Sequence, residues 1–298
     1  MRSHAILELG VVELRVAQAE RGRLTRHVEV ILPAGLLQDG VPSPGFGPFL
    51  RQVLLEARIT ARSLRLAIGE SGIAVRDFRL PLLPAEELAP AVLFEGKRLI
   101  PIDPQTVYYA WHARVVDRGY AVYLVAARRE MVDGLVQAAS AAGLETDRID
   151  LKVPALARGI GAADGLLCEW ATGEATVALM VGARPRFFRT FGLETEDEDG
   201  QLEQIGVALD ALVRFMRSAE PGLVIGANTP LYLAGRFTRF ETDWSQRFAF
   251  DVRLPAPAVR WVPDFPWPSH LTALGLIDDW GWQARLNPEQ AGDKHVAA

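Results

Sequence analysis

The residues able to do chemistry in this chain are few, and they do not gather in sequence. The single cysteine, Cys168, sits in the apolar run GLLCEW and reads as a small buried apolar side chain. The five histidines, His4, His27, His112, His270 and His295, lie far apart, and no Cys/His spacing suits zinc or iron. No Ser-His-Asp, Cys-His or paired-carboxylate arrangement stands out. Glu8, Glu13, Glu169 and Glu174 fall where strand ends or turns are expected and read as polar residues of those turns. Trp261, Trp267, Trp280 and Trp282 crowd the end of the chain. They fit either the packing of a late loop and helix or a partner surface, since aromatics are enriched in interface cores. Residue types alone therefore predict no catalytic constellation.

Composition narrows the class further. A length of 298 residues suggests two domains. Hydrophobic residues at 49% and charged residues at 23% suit a water-soluble globular chain with a sizeable core. The formal net charge is -5, and the Lys and Arg residues are scattered rather than clustered, so no nucleic-acid partner is expected. One cysteine cannot form an internal disulfide, which suits a reducing compartment. The first residues lack the apolar core and small-residue cleavage site of a signal peptide, and no apolar window approaches about 18 residues. A cytoplasmic location is expected.

Strands are predicted over 5–9, 11–17 and 26–32, then a Gly/Pro-rich loop at 40–47 and a helix carrying Phe46, Leu50, Val53 and Leu54. LRLAIG and IAVRDFRL read as strands around the turn at 70–72. A helix is expected over 86–98, beginning late or bending because Pro90 cannot donate a helix hydrogen bond. Residues 106–115 and 121–127 read as a hairpin turning at 117–119. The stripe Met131, Val132, Leu135, Val136 and Ala139 predicts a helix that stops at Gly143. From Gly165 the pattern restarts with three strands, and an acidic run leads into a helix carrying Leu202, Ile205, Leu209, Leu212, Val213 and Met216. A strand at LYLAG, a short helical stretch near Thr242, an extended surface loop over 253–268 and a helix over 269–280 complete the reading. The tail from Asn287 reads as polar. The order is α/β with two related halves.

The middle of the chain carries a family resemblance. Arg79, Leu80, Pro81, Pro84, Glu87, Leu88, Glu95, Ile100 and Pro101, followed by the segment at 123–144, resemble the PilM family of type IV pilus assembly proteins. The resemblance extends, more weakly, over about residues 5–282. It implies an actin-like (ribonuclease H-like) two-lobed α/β fold. The first lobe would cover 1–164 with a strand–helix–strand–strand insert subdomain at about 73–147; the second would cover 165–283, leaving a polar tail at 284–298.

In such proteins a nucleotide lies between the lobes. A hairpin turn from each lobe brings backbone N–H groups to its phosphates, and nearby carboxylates position Mg²⁺ or water. The resemblance assigns Glu8, Gly10 and Val11 to the first turn, Glu169, Thr172 and Gly173 to the second, and Ala234 and Gly235 to the adenosine loop. This sequence departs from the pattern at each place. Val11, Val12 and Glu13 replace small hydroxyl residues, Glu174 adds a second carboxylate, and Arg236 replaces a glycine. Uncompensated, Glu13 and Glu174 would each cost a bound triphosphate on the order of 1–4 kcal/mol. Residues 192–201 also stand where the family carries a longer segment, so the outer subdomain of the second lobe is expected to be reduced or missing. The expectation is a degenerate site with no cofactor and no ATPase activity; ATP with Mg²⁺ is the alternative.

The resemblance further implies a scaffold at the inner face of the cytoplasmic membrane, held there through a partner. That partner would be a PilN-like bitopic membrane protein, whose N-terminal peptide, resembling INLLP, binds beside the insert; other platform proteins or a second copy could also bind. Candidate groove residues are Phe78, Leu80, Leu88, Phe94, Ile100 and Val107. Residues 284–289 faintly resemble the same peptide. A GspL-like secretion adaptor or an orphan actin-like protein is the remaining alternative.

Overall fold

The apolar runs of the N-terminus fold as three antiparallel strands, β1 (His4–Leu9), β2 (Glu13–Glu20) and β3 (Arg23–Ile31), in the computed structural model, which describes residues 3–239, 244–255 and 260–277. Trp280, Trp282 and the tail at 284–298 lie outside the described residues, as does Thr242. A small hairpin of β4 (Leu37–Gln38) and β5 (Val41–Pro42) leads into α1 (Phe46–Glu56), which buries Phe46, Leu50, Val53 and Leu54. β6 (Ser63–Ile68) then lies parallel to β1.

The insert follows as β7 (Ile73–Pro81), α2 (Ala85–Leu99), β8 (Val107–Val116) and β9 (Gly119–Arg128). Its three strands form an antiparallel sheet in the order β7-β9-β8. The insert is narrower than the expected 73–147. α3 (Arg129–Ala141) packs on α1, and β10 (Glu145–Leu151) pairs in parallel with β6, so both belong to the first lobe. α2 starts ahead of Pro90 and runs through it, against the expectation of a late start. Pro90 faces solvent, where the carbonyl it leaves unpaired can meet water, while Val92 and Gly96 hold the opposite face on the insert sheet.

α4 (Lys152–Ile160) leads to the second half, where the pattern repeats. β11 (Gly165–Trp170), β12 (Glu174–Val181) and β13 (Arg184–Gly192) are antiparallel, and α5 (Glu198–Ala219) connects them to β14 (Pro230–Gly235), which is parallel to β11. β15 (Asp251–Arg253) extends that sheet. The sheet orders β10-β6-β1-β2-β3 and β13-β12-β11-β14-β15 are the same arrangement twice. Only residues 193–197 separate β13 from α5, so no outer subdomain is inserted there. Asp197 caps α5 by accepting from Gly200 N–H, and the helix buries Leu202, Ile205, Leu209, Leu212, Val213 and Met216 against its sheet.

The segment expected to be a surface loop is partly structural. β16 (Arg260–Trp261) crosses back to pair with β3 and becomes the sixth strand of the first sheet. Phe265 is buried beneath it, and the Trp261 and Trp267 rings stack at 5.2 Å. These two tryptophans therefore serve packing. The chain then enters α6 (Leu271–Ile277).

α4 and α6 cross between the lobes at unusually close range. A Cβ on Gly159 would overlap the Leu271 carbonyl oxygen, and one on Gly275 would overlap that of Ala155. Only hydrogen fits at either position. Gly159→Ala is therefore expected to lower stability by about 3 kcal/mol, read as a reduced denaturant midpoint, because backbone rather than a movable side chain blocks the methyl group.

Candidate functional site

Two hairpin turns meet where the lobes face each other. In the β1–β2 turn Gly10 N–H donates to the Glu13 carbonyl at 2.9 Å; in the β11–β12 turn Ala171 N–H donates to the Glu174 carbonyl at 2.9 Å. Each turn is flanked by glutamates with the same spacing, Glu8 and Glu13 in one, Glu169 and Glu174 in the other. The turns touch: a Cβ on Gly173 would come within 2.8 Å of Val12 Cγ2. Val11 and Thr172 at the tips face solvent.

All four glutamates are buried, together with Arg15 and Lys152. Lys152 opens α4 and aims its ammonium into the seam. Its Nζ lies 2.7 Å from Glu174 Oε1, 3.0 Å from Glu169 Oε2 and 3.3 Å from Glu8 Oε1. Arg15, opposite Glu8 in the β1–β2 ladder, reaches Glu8 at 3.4 Å and Glu169 at 3.3 Å and pairs with Glu13. Val11 N–H donates to the second Glu174 oxygen. The turn amide that such a hairpin could offer to a phosphate is thus engaged by a carboxylate, and the carboxylates that could hold a cation surround an ammonium. Glu13 and Glu174, expected to stand uncompensated, are both paired.

The positions assigned to adenosine are filled in a similar way. Ala234 is buried at the end of β14. Gly235 has φ +70°, and a side chain there would strike the Trp170 carbonyl. Arg236 stacks its guanidinium 4.5 Å above the Trp170 ring and pairs with Glu198 at 2.7 Å. A cleft of about 460 Å³ remains beside the ion cluster; its ionisable lining is Asp39, Glu70 and Glu174 against Lys152, a negative balance.

The insert contributes a different feature. Phe78, Leu80, Leu88, Ile100 and Val107 pack in the insert's own core beneath α2, and Phe94 is exposed on that helix. None of these six faces the first lobe. The opposite face of the insert sheet does, because strand residues alternate sides. There Tyr108, Ala110, Tyr123 and Val125 meet Ile149 and Leu151 of β10 around an apolar cavity of about 80 Å³. β10 is the edge of its sheet, with no further strand beside it among the described residues.

No protein-family model and no curated relative matches this chain. Solved structures do. A PilM–PilN type IV pilus biogenesis complex aligns with TM-score 0.72 and 22% identity over 91% of this chain and 96% of that one. The cytoplasmic domain of EpsL, an inner-membrane component of the Vibrio cholerae type II secretion system, aligns with TM-score 0.55 and 12% identity over 94% and 97%. This chain has the actin-like fold of PilM.

On this PilM-like fold, the residues assigned from sequence to the two turns lie at turns that meet, and sequence reasoning missed the two cations that pair with their glutamates. Lys152 follows a strand and precedes the apolar run at 153–157, and Arg15 sits in a strand whose next two residues are Val16 and Ala17. A lone basic residue inside an apolar run is the available signal, since such a charge is buried only with partners. The cluster shifts its members in opposite directions. Glu8 is raised above the usual carboxylate range, first by burial and then by Glu169 and Glu174, despite Arg15 and Lys152. Burial would raise Glu169 too, but Lys152 and Arg15 outweigh it and hold that carboxyl below the usual range. Lys152 and Arg15 lose to burial and gain more from the glutamates, so both are raised.

A raised carboxyl contributes stability at low pH, and the contribution is lost as pH rises through its folded pKa; a depressed one contributes above its unfolded pKa, and that is lost as pH falls through the folded value. Glu8→Gln removes an ionisation cost and is expected to leave the denaturation midpoint unchanged or higher at mildly alkaline pH. Glu169→Gln is expected to lower stability there by about 3 kcal/mol, because it strips two buried cations of a shared partner. Chemical denaturation of both variants checks the pair; equal losses would contradict the assignment.

Proposed function

We propose that this chain is a cytoplasmic scaffold of the type IV pilus inner-membrane assembly platform, that it holds the N-terminal peptide of a PilN-like bitopic membrane protein, and that it does so without hydrolysing ATP. The observation that carries the reading is the apolar groove between the insert and β10, on a fold shared with a protein solved as a PilM–PilN complex. An extended peptide binds best where an open strand edge offers main-chain groups and alternate side chains find apolar pockets. β10 supplies such an edge, and Tyr108, Ala110, Val125 and Ile149 supply the pocket walls. This reading moves the groove to the face of the insert sheet opposite the six residues expected from sequence. No helix among the described residues is long and apolar enough to cross a membrane; in this reading the partner supplies the membrane attachment.

The nucleotide-free part rests on the ion cluster. A triphosphate would have to displace Glu174 from Val11 N–H and meet a cleft whose ionisable lining is three carboxylates against one lysine. The residues present do not suit ATP with Mg²⁺. The likeness to EpsL supports a second reading, an adaptor of a related secretion system, which the identity of the bound peptide would distinguish.

Calorimetric titration with the N-terminal peptide of the matched PilN-like protein is expected to give saturable binding. Ala110→Trp, which fills the groove from β8 without entering the insert core, is expected to weaken it at least tenfold with little change in Tm. Absence of binding to the unmodified chain would sink the scaffold reading. Separately, millimolar ATP with Mg²⁺ is expected to leave Tm unchanged; a rise of several degrees would overturn the nucleotide-free part alone.

A further inference from the structure

A trough of about 940 Å³ runs along α5 in the second lobe and shares no residue with the insert groove or the ion cluster. Asp199, Glu203, Gly206, Asp210, Val213 and Arg217 of α5 line it, at steps of four, three, four, three and four residues. Such spacing makes one seam with a 3.5-residue period, about 27 Å long at a rise of about 1.5 Å per residue. Buried Leu202, Leu209 and Phe248 form an apolar floor. The opposite wall comes from the segments that precede β14 and β15.

The charge of the rim is one-sided. Asp197, Asp199, Glu203 and Asp210 line the trough against Arg217 and Arg247. Arg217 is drawn onto the Ile225 carbonyl, at 2.5 and 3.2 Å, and Arg247 comes no nearer than 4.0 Å to Asp199. Glu203 and Asp210 are exposed and have no ion-pair partner among the described residues. Gly206 stands in the middle of the seam, where a Cβ would meet nothing within 4 Å. Glycine inside a helix costs stability relative to alanine, and no contact among the described residues requires it here. Its bare backbone leaves room for close approach from outside, and Val207 beside it is 61% exposed.

We propose that this trough docks a basic amphipathic helix of a partner protein, with its apolar face in the seam and its Lys or Arg residues against Asp199, Glu203 and Asp210. The proposal is independent of the peptide-binding reading. A seam of 3.5-residue period packs a second helix through interlocking side chains, and charges at its margins select the partner. The wall at 247–250 is not a strand, so an extended peptide gains no ladder there, whereas a helix satisfies its own backbone. The acidic rim repels nucleic acids and anionic lipid surfaces. A second copy of this chain, with a net charge of -5, is a poorer complement than a basic segment.

The probe is a synthetic helix with Leu on one face and Lys on the other, about 18 residues long to match the seam. Calorimetric titration into the full chain is expected to give saturable binding. Glu203→Lys combined with Asp210→Lys is expected to weaken it about tenfold. Gly206→Trp fills the trough and is expected to weaken it as much while Tm holds, because the substitution also removes a poor helix former. Glu56→Lys combined with Glu145→Lys, an equal change of charge at exposed positions of the first lobe, is expected to change nothing. Ala110→Trp, which fills the insert groove, is likewise expected to leave this binding intact. Absence of binding, equal binding of a scrambled peptide of the same composition, or undiminished binding in both trough variants overturns the proposal. Binding lost in Ala110→Trp but kept in Gly206→Trp also overturns it, by placing the helix in the insert groove. Sedimentation velocity covers the other occupant: a wild-type dimer that becomes a monomer in Gly206→Trp gives the trough to a second copy and ends the proposal.

Discussion

Six charged side chains sealed from water between two hairpin turns set the relation of one lobe to the other. Four of them, Glu8, Glu13, Arg15 and Lys152, come from the first lobe; Glu169 and Glu174 come from the second. The first-lobe set is formally neutral, whereas the second-lobe pair carries two carboxylates and no cation. Lys152 finds its two shortest contacts across the seam, and among the described residues Glu169 pairs with Lys152 and Arg15 alone. A buried pair of this kind adds little net stability compared with apolar packing, but breaking it leaves uncompensated charge and costs several kcal/mol. Its effect is therefore selective. Arrangements of the lobes that keep the cluster dry but misaligned are penalised far more than the aligned one is favoured. The α4–α6 crossing acts on the same joint from the other side, since the glycines at the contact allow one depth of approach.

The groove and the cluster are neighbours along the chain as well as in space. Ile149 and Leu151 line the groove, and Lys152 is the next residue. Asp150 fixes this junction. Its side chain accepts from Leu151 N–H at 2.8 Å and pairs with Arg158 in the last turn of α4. A peptide seated against β10 would press on the strand that delivers Lys152 to the seam. The insert also leans on the second lobe through Asp77–Arg186 and His112–Arg184, so a shift of the insert sheet would reach β13 directly. Groove, ion cluster and seam thus share a small set of strands.

Much of this fold was legible in the sequence because its signals are local. Short continuous apolar runs give β1 and β11, a 3.6-residue stripe gives α3 and α5, and the resemblance around Arg79 to Pro101 points to an actin-like fold with an insert. The short link at 193–197 could be read as a lost subdomain because length alone reports it. What escaped were relations between distant segments. β10 joins a sheet begun by residues that precede it by some 140 positions in the chain. β16 returns across both lobes to pair with β3. Groove candidates chosen as prominent apolar residues proved to be insert core, because α2 covers that face of the sheet and strand periodicity cannot say which face a helix will cover. Pro90 misled for the opposite reason: tertiary packing of Val92 and Gly96 overrode a local penalty.

The internal repeat explains why the seam needs so few special residues. Each half supplies a strand, a turn and a second strand with a glutamate on either side of the turn, in matched register: Glu8 faces Arg15, and Glu169 faces Thr176. Brought face to face, two such hairpins would bury four carboxylates, an assembly that could not stay closed unaided. Symmetry is broken at two positions. Arg15 stands where its counterpart is Thr176, which only bonds Thr190 at 3.0 Å, and Lys152 opens the helix that follows the first sheet's last crossover. With these two cations the four carboxylates share their charge inside the protein, and burial still holds Glu8 above the usual carboxylate range. Two facing hairpin turns thereby become a joint whose carboxylates and cations neutralise one another within the protein.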